Sequence, residues 1–156
     1  MIAVAAFLAL TATASATEPE LEARAILPAD ATWPAPFPGV PNTDPAPAPG
    51  ATQPVGGFSA LLDAGNGDFW AMPDNGFGAK ANSADFLLRL YHVTPDWETR
   101  RGGSGTIGVG EFISLRDPDG QVPFPIVNDA TPDRLLTGAD FDIESVVRAR
   151  DGSLDR

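Results

Sequence analysis

The 156-residue sequence contains no cysteine and only one histidine, one lysine and one tyrosine. The absence of cysteine excludes disulfides, thiolate nucleophiles, iron–sulfur clusters and cysteine-ligated zinc. Positive charge is also scarce, because ten Lys and Arg side chains stand against 21 Asp and Glu side chains and leave a formal net charge of −11. This balance argues against electrostatic binding of nucleic acid or of an anionic lipid surface.

Nucleotide and nucleophile motifs are missing as well. The sequence has no Walker loop and no G-x-G-x-x-G between a predicted strand and a predicted helix. The segment Gly102-Gly103-Ser104-Gly105 does not match the G-x-S-x-G elbow of the α/β-hydrolases. We therefore expect no nucleotide, no haem and no iron–sulfur cofactor.

Residues 1–16 have the features of a secretory signal peptide. The run Ile2–Leu10 is apolar, no residue up to Ala16 is ionisable, and the segment ends in Ala14-Ser15-Ala16. We expect cleavage near Ala16 and a secreted or extracytoplasmic protein. The run is shorter than the ~20 residues that a membrane-spanning helix needs, so no stable membrane span is predicted. A buried helix of the mature domain is the alternative.

Residues 17–54 are predicted to be a Pro/Ala-rich linker. Nine of the 27 residues from Pro28 to Pro54 are proline, which blocks both helix propagation and sheet hydrogen bonding. Trp33, Phe37 and Val40 leave open a partly ordered segment that lies across a neighbouring surface. The folded part is expected to begin near Val55.

The rest of the chain is typical of an all-β fold. Two apolar runs, Gly57–Asp63 and Asp68–Pro73, flank the turn sequence Ala64-Gly65-Asn66-Gly67 and predict a β-hairpin. Further strands are predicted at Phe86–Val93, Ile107–Leu115 and Phe141–Ala149, with a turn at Asp117-Pro118-Asp119-Gly120 and a short helix after Ala79. Short strands at this spacing indicate a sandwich, a barrel or a propeller.

The predicted strand at the C-terminal side carries the strongest candidate site. Because side chains alternate along a strand, Asp140, Asp142 and Glu144 would share one face and the intervening Phe141 and Ile143 the other. Three neighbouring carboxylates repel each other unless water, Arg or a hard cation such as Ca²⁺ compensates them. The alternative is a solvated sheet face without a ligand.

The loop Met72–Lys80 is the second candidate. Asp74 and Asn75 offer oxygen ligands, and Lys80 offers a cationic contact for a phosphate or carboxylate group. The same Asp, Asn and Gly residues are also explained by turn formation alone. His92 is interpreted as structural, since one histidine does not define a zinc site.

Several segments together resemble the phytase-like family, described as "esterase-like activity of phytase". They are Gly56-Gly57-Phe58-Ser59-Ala60-Leu61, Asp68-Phe69-Trp70-Ala71-Met72-Pro73-Asp74-Asn75-Gly76, Phe86-Leu87-Leu88-Arg89-Leu90-Tyr91, Asp142-Ile143-Glu144-Ser145-Val146 and Asp151-Gly152-Ser153-Leu154. The resemblance implies that residues 55–156 are the truncated N-terminal part of a β-propeller, with about two blades of short antiparallel strands.

The resemblance also implies a function. The complete protein would be a secreted esterase or phosphoesterase, in which a metal ion assists hydrolysis of a small phosphate or carboxylate ester. It places Asp74, Asn75 and Glu144 at the channel mouth with Asp140 and Asp142 nearby, as Ca²⁺ or substrate contacts. A lactone-hydrolysing propeller is a close variant. A non-catalytic extracellular binding module and an inactive truncated product are the alternatives.

Overall fold

Four antiparallel strands in one sheet form the centre of the computed structural model, which describes residues 20–34, 52–150 and 154–155. The strands are β1 (Ala23–Arg24), β2 (Thr32–Pro34), β3 (Thr52–Pro54), β4 (Phe58–Gly65), β5 (Asp68–Pro73), β6 (Arg89–Asp96), β7 (Glu98–Thr99), β8 (Thr106–Ser114), β9 (Val147–Arg148) and β10 (Leu154–Asp155). The predicted signal peptide and residues 35–51 of the predicted linker lie outside the described residues.

The central sheet has the strand order β4-β5-β6-β8, and the all-β prediction is confirmed. Three further sheets have two strands each: β1 with β7, β2 with β3 and β9 with β10. The only helical segment in the described part is a 3₁₀ turn at Lys80–Asn82, where a short helix was expected. No helix of these residues is therefore long enough to cross a bilayer.

The hairpin predicted at the start of the sheet is confirmed. Strands β4 and β5 pair in antiparallel register, with Leu61 opposite Ala71. Asn66 and Gly67 both have positive φ, at 58° and 88°, which is the geometry of a tight two-residue reversal. The local sequence alone thus determines this connection.

Strand β6 is buried on both faces of the sheet. Leu88 and Leu90 pack on one face with Met72, which we call the Met72 face. Tyr91 and Val93 pack on the other, the Tyr91 face. The strand begins at Arg89 and not at Phe86, because residues 86–88 bond to a different segment. That segment is the stretch 135–138, where Leu88 N–H donates to the Leu136 carbonyl and Gly138 N–H donates to the Phe86 carbonyl.

The segment 116–146 covers the Met72 face. It contributes Val122, Ile126, Leu136 and Ile143 to the core but contains no strand of three or more residues. The predicted turn at 117–120 is confirmed, with Gly120 N–H donating to the Asp117 carbonyl at 3.1 Å.

The strand predicted over Phe141–Ala149 is wrong, except for Val147 and Arg148. A turn at 138–140 redirects the chain, because Asp140 N–H and Phe141 N–H both donate to the Thr137 carbonyl. The described residues consequently form one four-stranded and three two-stranded sheets, and the two-bladed propeller implied by the resemblance stays a prediction.

The predicted linker contributes to the fold in its described parts, which agrees with the alternative of a partly ordered segment lying across a neighbouring surface. Gln53 is 1% exposed, and its side-chain amide bonds both the N–H and the carbonyl of Leu87, at 3.0 and 2.8 Å. Its Nε2 also donates to the Tyr91 hydroxyl at 3.1 Å. Leu27 and Val55 pack on the Tyr91 face. Strands β2 and β3 also pair with each other, although the chain that connects them is rich in proline.

The side chain of Arg134 stabilises the segment 116–146 by contacts with two of its aspartates. Arg134 donates from Nε to the Asp117 carbonyl at 2.8 Å and from Nη2 to Asp117 Oδ2 at 3.0 Å, and it also contacts Asp129. Burial raises the pKa of Asp117, but hydrogen bonds from Arg134 and from the Gln121 and Val122 N–H groups outweigh this effect and lower it below the ordinary value.

Acid should destabilise this arrangement. The folded-state pKa of Asp117 lies below its unfolded value of about 3.9. The carboxylate therefore contributes its full share of the free energy of unfolding above the unfolded pKa, and this share is lost as the pH falls through the folded pKa. We expect Asp117→Asn to flatten the loss of stability between about pH 5 and pH 2, measured by urea unfolding. The exposed control Asp119→Asn should leave the acid limb unchanged, and identical curves for both variants would contradict the assignment.

The Gln53 side chain supplies a second test of the fold. Gln53→Ala leaves the buried N–H and carbonyl of Leu87 without their side-chain partners, which should cost about 1–3 kcal/mol of unfolding free energy. Gln121→Ala, at an exposed glutamine, serves as the matched control. Equal stability of the two variants in urea titrations would show that residues 52–54 are a linker after all.

Candidate functional site

One end of the central sheet gathers most of the residues singled out from the sequence. Strand β5 ends there at Pro73, opposite the start of β4 at Phe58. Strand β6 begins there at Arg89, opposite the end of β8 at Ser114. We call this the site end. The loop 74–88 leaves and re-enters the sheet at this end, and residues 135–138 bond to it.

The loop Asp74–Lys80 is shaped by its own side chains. Asp74 Oδ1 accepts hydrogen bonds from the N–H groups of Asn75, at 2.5 Å, and Gly76, at 3.1 Å. Asn75 is buried, and its Oδ1 accepts from Gly78 N–H at 2.8 Å. These are turn hydrogen bonds. Asp74 is half-buried, and no hydrogen bond among the described residues involves its Oδ2.

Asp140 is buried and fully engaged. Its Oδ1 accepts from Val127 N–H at 2.8 Å, and its Oδ2 accepts from the N–H and the hydroxyl of Thr137 at 2.8 and 2.9 Å. Asp142 and Glu144 are exposed. The prediction that these three carboxylates share one strand face is wrong, because the turn at 138–140 separates a buried Asp140 from the chain that follows.

The structure nevertheless brings the two predicted features together. Lys80 Nζ donates to the Asp140 carbonyl at 3.4 Å, across 60 residues of chain. Gly138 lies so close to the loop that a Cβ placed on it would be 2.0 Å from the Asn75 carbonyl oxygen. Only glycine permits this approach. The loop and the turn at 138–140 therefore form one packed unit at the site end.

Calcium was expected at these carboxylates. Within residues 20–34, 52–150 and 154–155, no three or more Asp, Glu or His side chains are grouped closely enough to hold a metal ion. Asp140 already accepts three hydrogen bonds, so its oxygens do not fit the role of hard-cation ligands. The use of Ca²⁺ stays a prediction.

A cavity of about 460 Å³ lies beside the loop. Its apolar wall includes Leu27, Val55, Phe58, Phe86 and Ile107. Gly57 and Gly76 complete the wall next to Asp74, whose N–H donates to the Gly57 carbonyl at 3.3 Å. The cavity was not predicted from the sequence because its walls come from segments that are distant in the chain, one of them in the predicted linker. Local sequence patterns do not show that such segments are in contact.

Arg89 is a second feature that the sequence reading missed. It is 2% exposed, and its guanidinium lies 4.3 Å above the centre of the Phe112 ring, a cation–π contact. Its Nε and Nη1 have no hydrogen-bond partner among the described residues. Burial raises the pKa of the Tyr91 hydroxyl, and the interactions with Arg89 and Gln53 oppose part of this rise. A charged residue inside the run Phe86–Tyr91 was the available signal.

His92 lies toward the opposite end of the sheet. Its Nε2 is 3.6 Å from Asp68 Oδ2, and its ring meets Trp70 edge-on with 5.1 Å between centroids. These contacts join neighbouring strands β5 and β6. They agree with the structural interpretation of this histidine.

Comparison with protein families gives one match that covers the site end. A family model named phytase-like, described as "Esterase-like activity of phytase", matches residues 53–154. Comparison with curated proteins gives no match, and neither does comparison with solved structures. The matched range includes the loop Asp74–Lys80 and the segment from Gly138 to Glu144.

The close packing of Gly138 can be tested directly. Gly138→Ala places a methyl group against the Asn75 carbonyl and should cost about 1–3 kcal/mol of unfolding free energy through overpacking. Gly108→Ala in β8 is the control, since its Cβ would meet the nearest atom at an ordinary 3.6 Å. Thermal unfolding of both variants measures the difference. A Gly138→Ala protein as stable as the control would contradict the packed unit.

Proposed function

Because the chain belongs to the phytase-like family, we propose that it is a secreted hydrolase that cleaves phosphate or carboxylate esters at the site end of its sheet. The observation that carries the proposal is the family match, which spans both the loop Asp74–Lys80 and the turn packed against it. In this proposal the four-stranded sheet is a blade of a β-propeller. The apolar segment Ile2–Leu10 supports secretion.

Asp74 is the group best placed to act as general base. Its Oδ1 is held by two backbone N–H groups, which fix the direction of the carboxylate. Its Oδ2 makes no hydrogen bond within the described part of the chain, and its N–H donates to the carbonyl of Gly57, which lines the cavity. A carboxylate held in this way orients a water molecule and accepts its proton as the water attacks.

The hydrolytic step then balances without a covalent intermediate. The water oxygen forms a bond to the carbonyl carbon or the phosphorus, and Asp74 Oδ2 takes the proton. The bond to the ester oxygen breaks, and that oxygen leaves as an alcohol after receiving the proton that Asp74 took, which regenerates the carboxylate. Lys80, the only lysine side chain of the sequence, is exposed on the same loop and favours the anionic product acid.

A non-catalytic binding module is the second candidate function. Asp140 favours it, because all of its hydrogen bonds serve the fold and none is left for chemistry. A module of this kind would retain a ligand and turn nothing over. The presence or absence of multiple turnover therefore separates the two candidates.

Asp74→Asn tests the proposed base. Asparagine keeps an acceptor oxygen for the Asn75 and Gly76 N–H groups but does not accept a proton, so turnover of p-nitrophenyl acetate or p-nitrophenyl phosphate should fall by about 10²–10⁴-fold. Asp119→Asn, in an exposed turn, should keep full activity. Wild-type activity in Asp74→Asn would remove Asp74 from the mechanism, and an inactive wild-type protein would favour the binding module. Activity that survives EDTA would remove the calcium prediction.

A further inference from the structure

We infer, resting on the proposed hydrolase, that the 460 Å³ cavity beside Asp74 binds the apolar acyl or aryl group of an uncharged carboxylic ester. Its volume falls within the range of small-molecule pockets, about 300–1,000 Å³. Leu27, Phe58 and Ile107 give it an apolar wall, and burial of an apolar group against such a wall is favourable. The cavity thus selects the substrate class that the family match leaves open.

The charges around the cavity oppose an anionic ligand. No Lys, Arg or His side chain lines it, and the adjoining loop carries the carboxylate of Asp74, whose N–H donates to the lining Gly57. Lys80 donates to the Asp140 carbonyl and is not part of the wall. A phosphate group placed here would lose water without gaining a cationic partner, which is costly. An uncharged ester avoids this cost.

The glycines place the reacting group next to the proposed base. Gly57 has φ of +61°, and a Cβ at this position would lie 3.9 Å from Asp74 Oδ1. Because glycine has no side chain, a ligand can approach the backbone at this point. An acyl group seated in the cavity would therefore leave its ester carbonyl beside Asp74. Phe86 packs tightly against Gly76 and closes the wall on the other side of the loop.

Ala29 offers a way to fill the cavity from its rim. It lies in an exposed turn, so a larger side chain there removes cavity space without disturbing the buried core. We use Ala29→Phe as the blocking variant and Ala29→Ser as the variant that keeps the volume. Ala130→Phe, at another exposed turn alanine outside the cavity, controls for the added aromatic surface.

The test measures binding separately from turnover. Butyranilide, an uncharged amide analogue that resists hydrolysis, is titrated into each protein by ligand-observed NMR, with phenyl phosphate as the anionic probe. We expect butyranilide to bind the wild-type chain more tightly than phenyl phosphate does. Ala29→Phe should weaken butyranilide binding by about tenfold or more, whereas Ala29→Ser and Ala130→Phe should bind as the wild type does.

Two results would overturn the inference: butyranilide binding that Ala29→Phe leaves unchanged, or tighter binding of phenyl phosphate than of butyranilide. Parallel assays with phenyl butyrate separate this outcome from failure of the proposed function. Hydrolysis that is insensitive to Ala29→Phe would keep the hydrolase and reject the cavity as its binding site. Binding that Ala29→Phe abolishes, without any hydrolysis, would keep the cavity as an apolar-ligand site and reject the hydrolase.

Discussion

The burial of strand β6 on both faces is the constraint on which the remaining structure depends. A four-stranded sheet with two apolar faces needs a cover on each, and the chain supplies one from residues 116–146 and the other from residues 27 and 55. Burial also requires partners for every polar group of the strand and of the residues that lead into it. Gln53 satisfies Leu87, and the Phe112 ring faces the Arg89 guanidinium.

Carboxylates take the place of cross-links in this cysteine-free chain. Asp74, Asp117 and Asp140 each accept at least two hydrogen bonds from backbone N–H groups and hold an irregular segment in one conformation. Part of the strongly acidic composition therefore serves the loops and is not a ligand site. Of these three residues, only Asp74 has a carboxylate oxygen without a hydrogen bond among the described residues, which is why we propose it as the base.

Local signals in the sequence were sufficient for the elements that local interactions determine. The Asn66-Gly67 reversal and the turn after Asp117 follow from backbone preferences of a few residues, and both were predicted. The alternation after Asp140 indicated a strand, but a turn closed on the Thr137 carbonyl redirects the chain there, and Val127 N–H, 13 residues away, donates to the Asp140 carboxylate. The apolar cavity and the role of Gln53 depend on contacts between segments that are far apart in the chain, and local sequence patterns do not reveal such long-range contacts.

The pairing of β1 with β7 has a consequence for biosynthesis. Arg24 and Glu98 are joined across 74 residues, and Ile26 N–H donates to the Gly105 carbonyl. The ribosome therefore completes the β4–β5 hairpin well before the first segment has a partner to pair with, and contacts of such long range form slowly. We expect the N-terminal segment to dock only after this hairpin has formed. The cavity wall includes Leu27 and Ile107, so the cavity is complete only after that docking step.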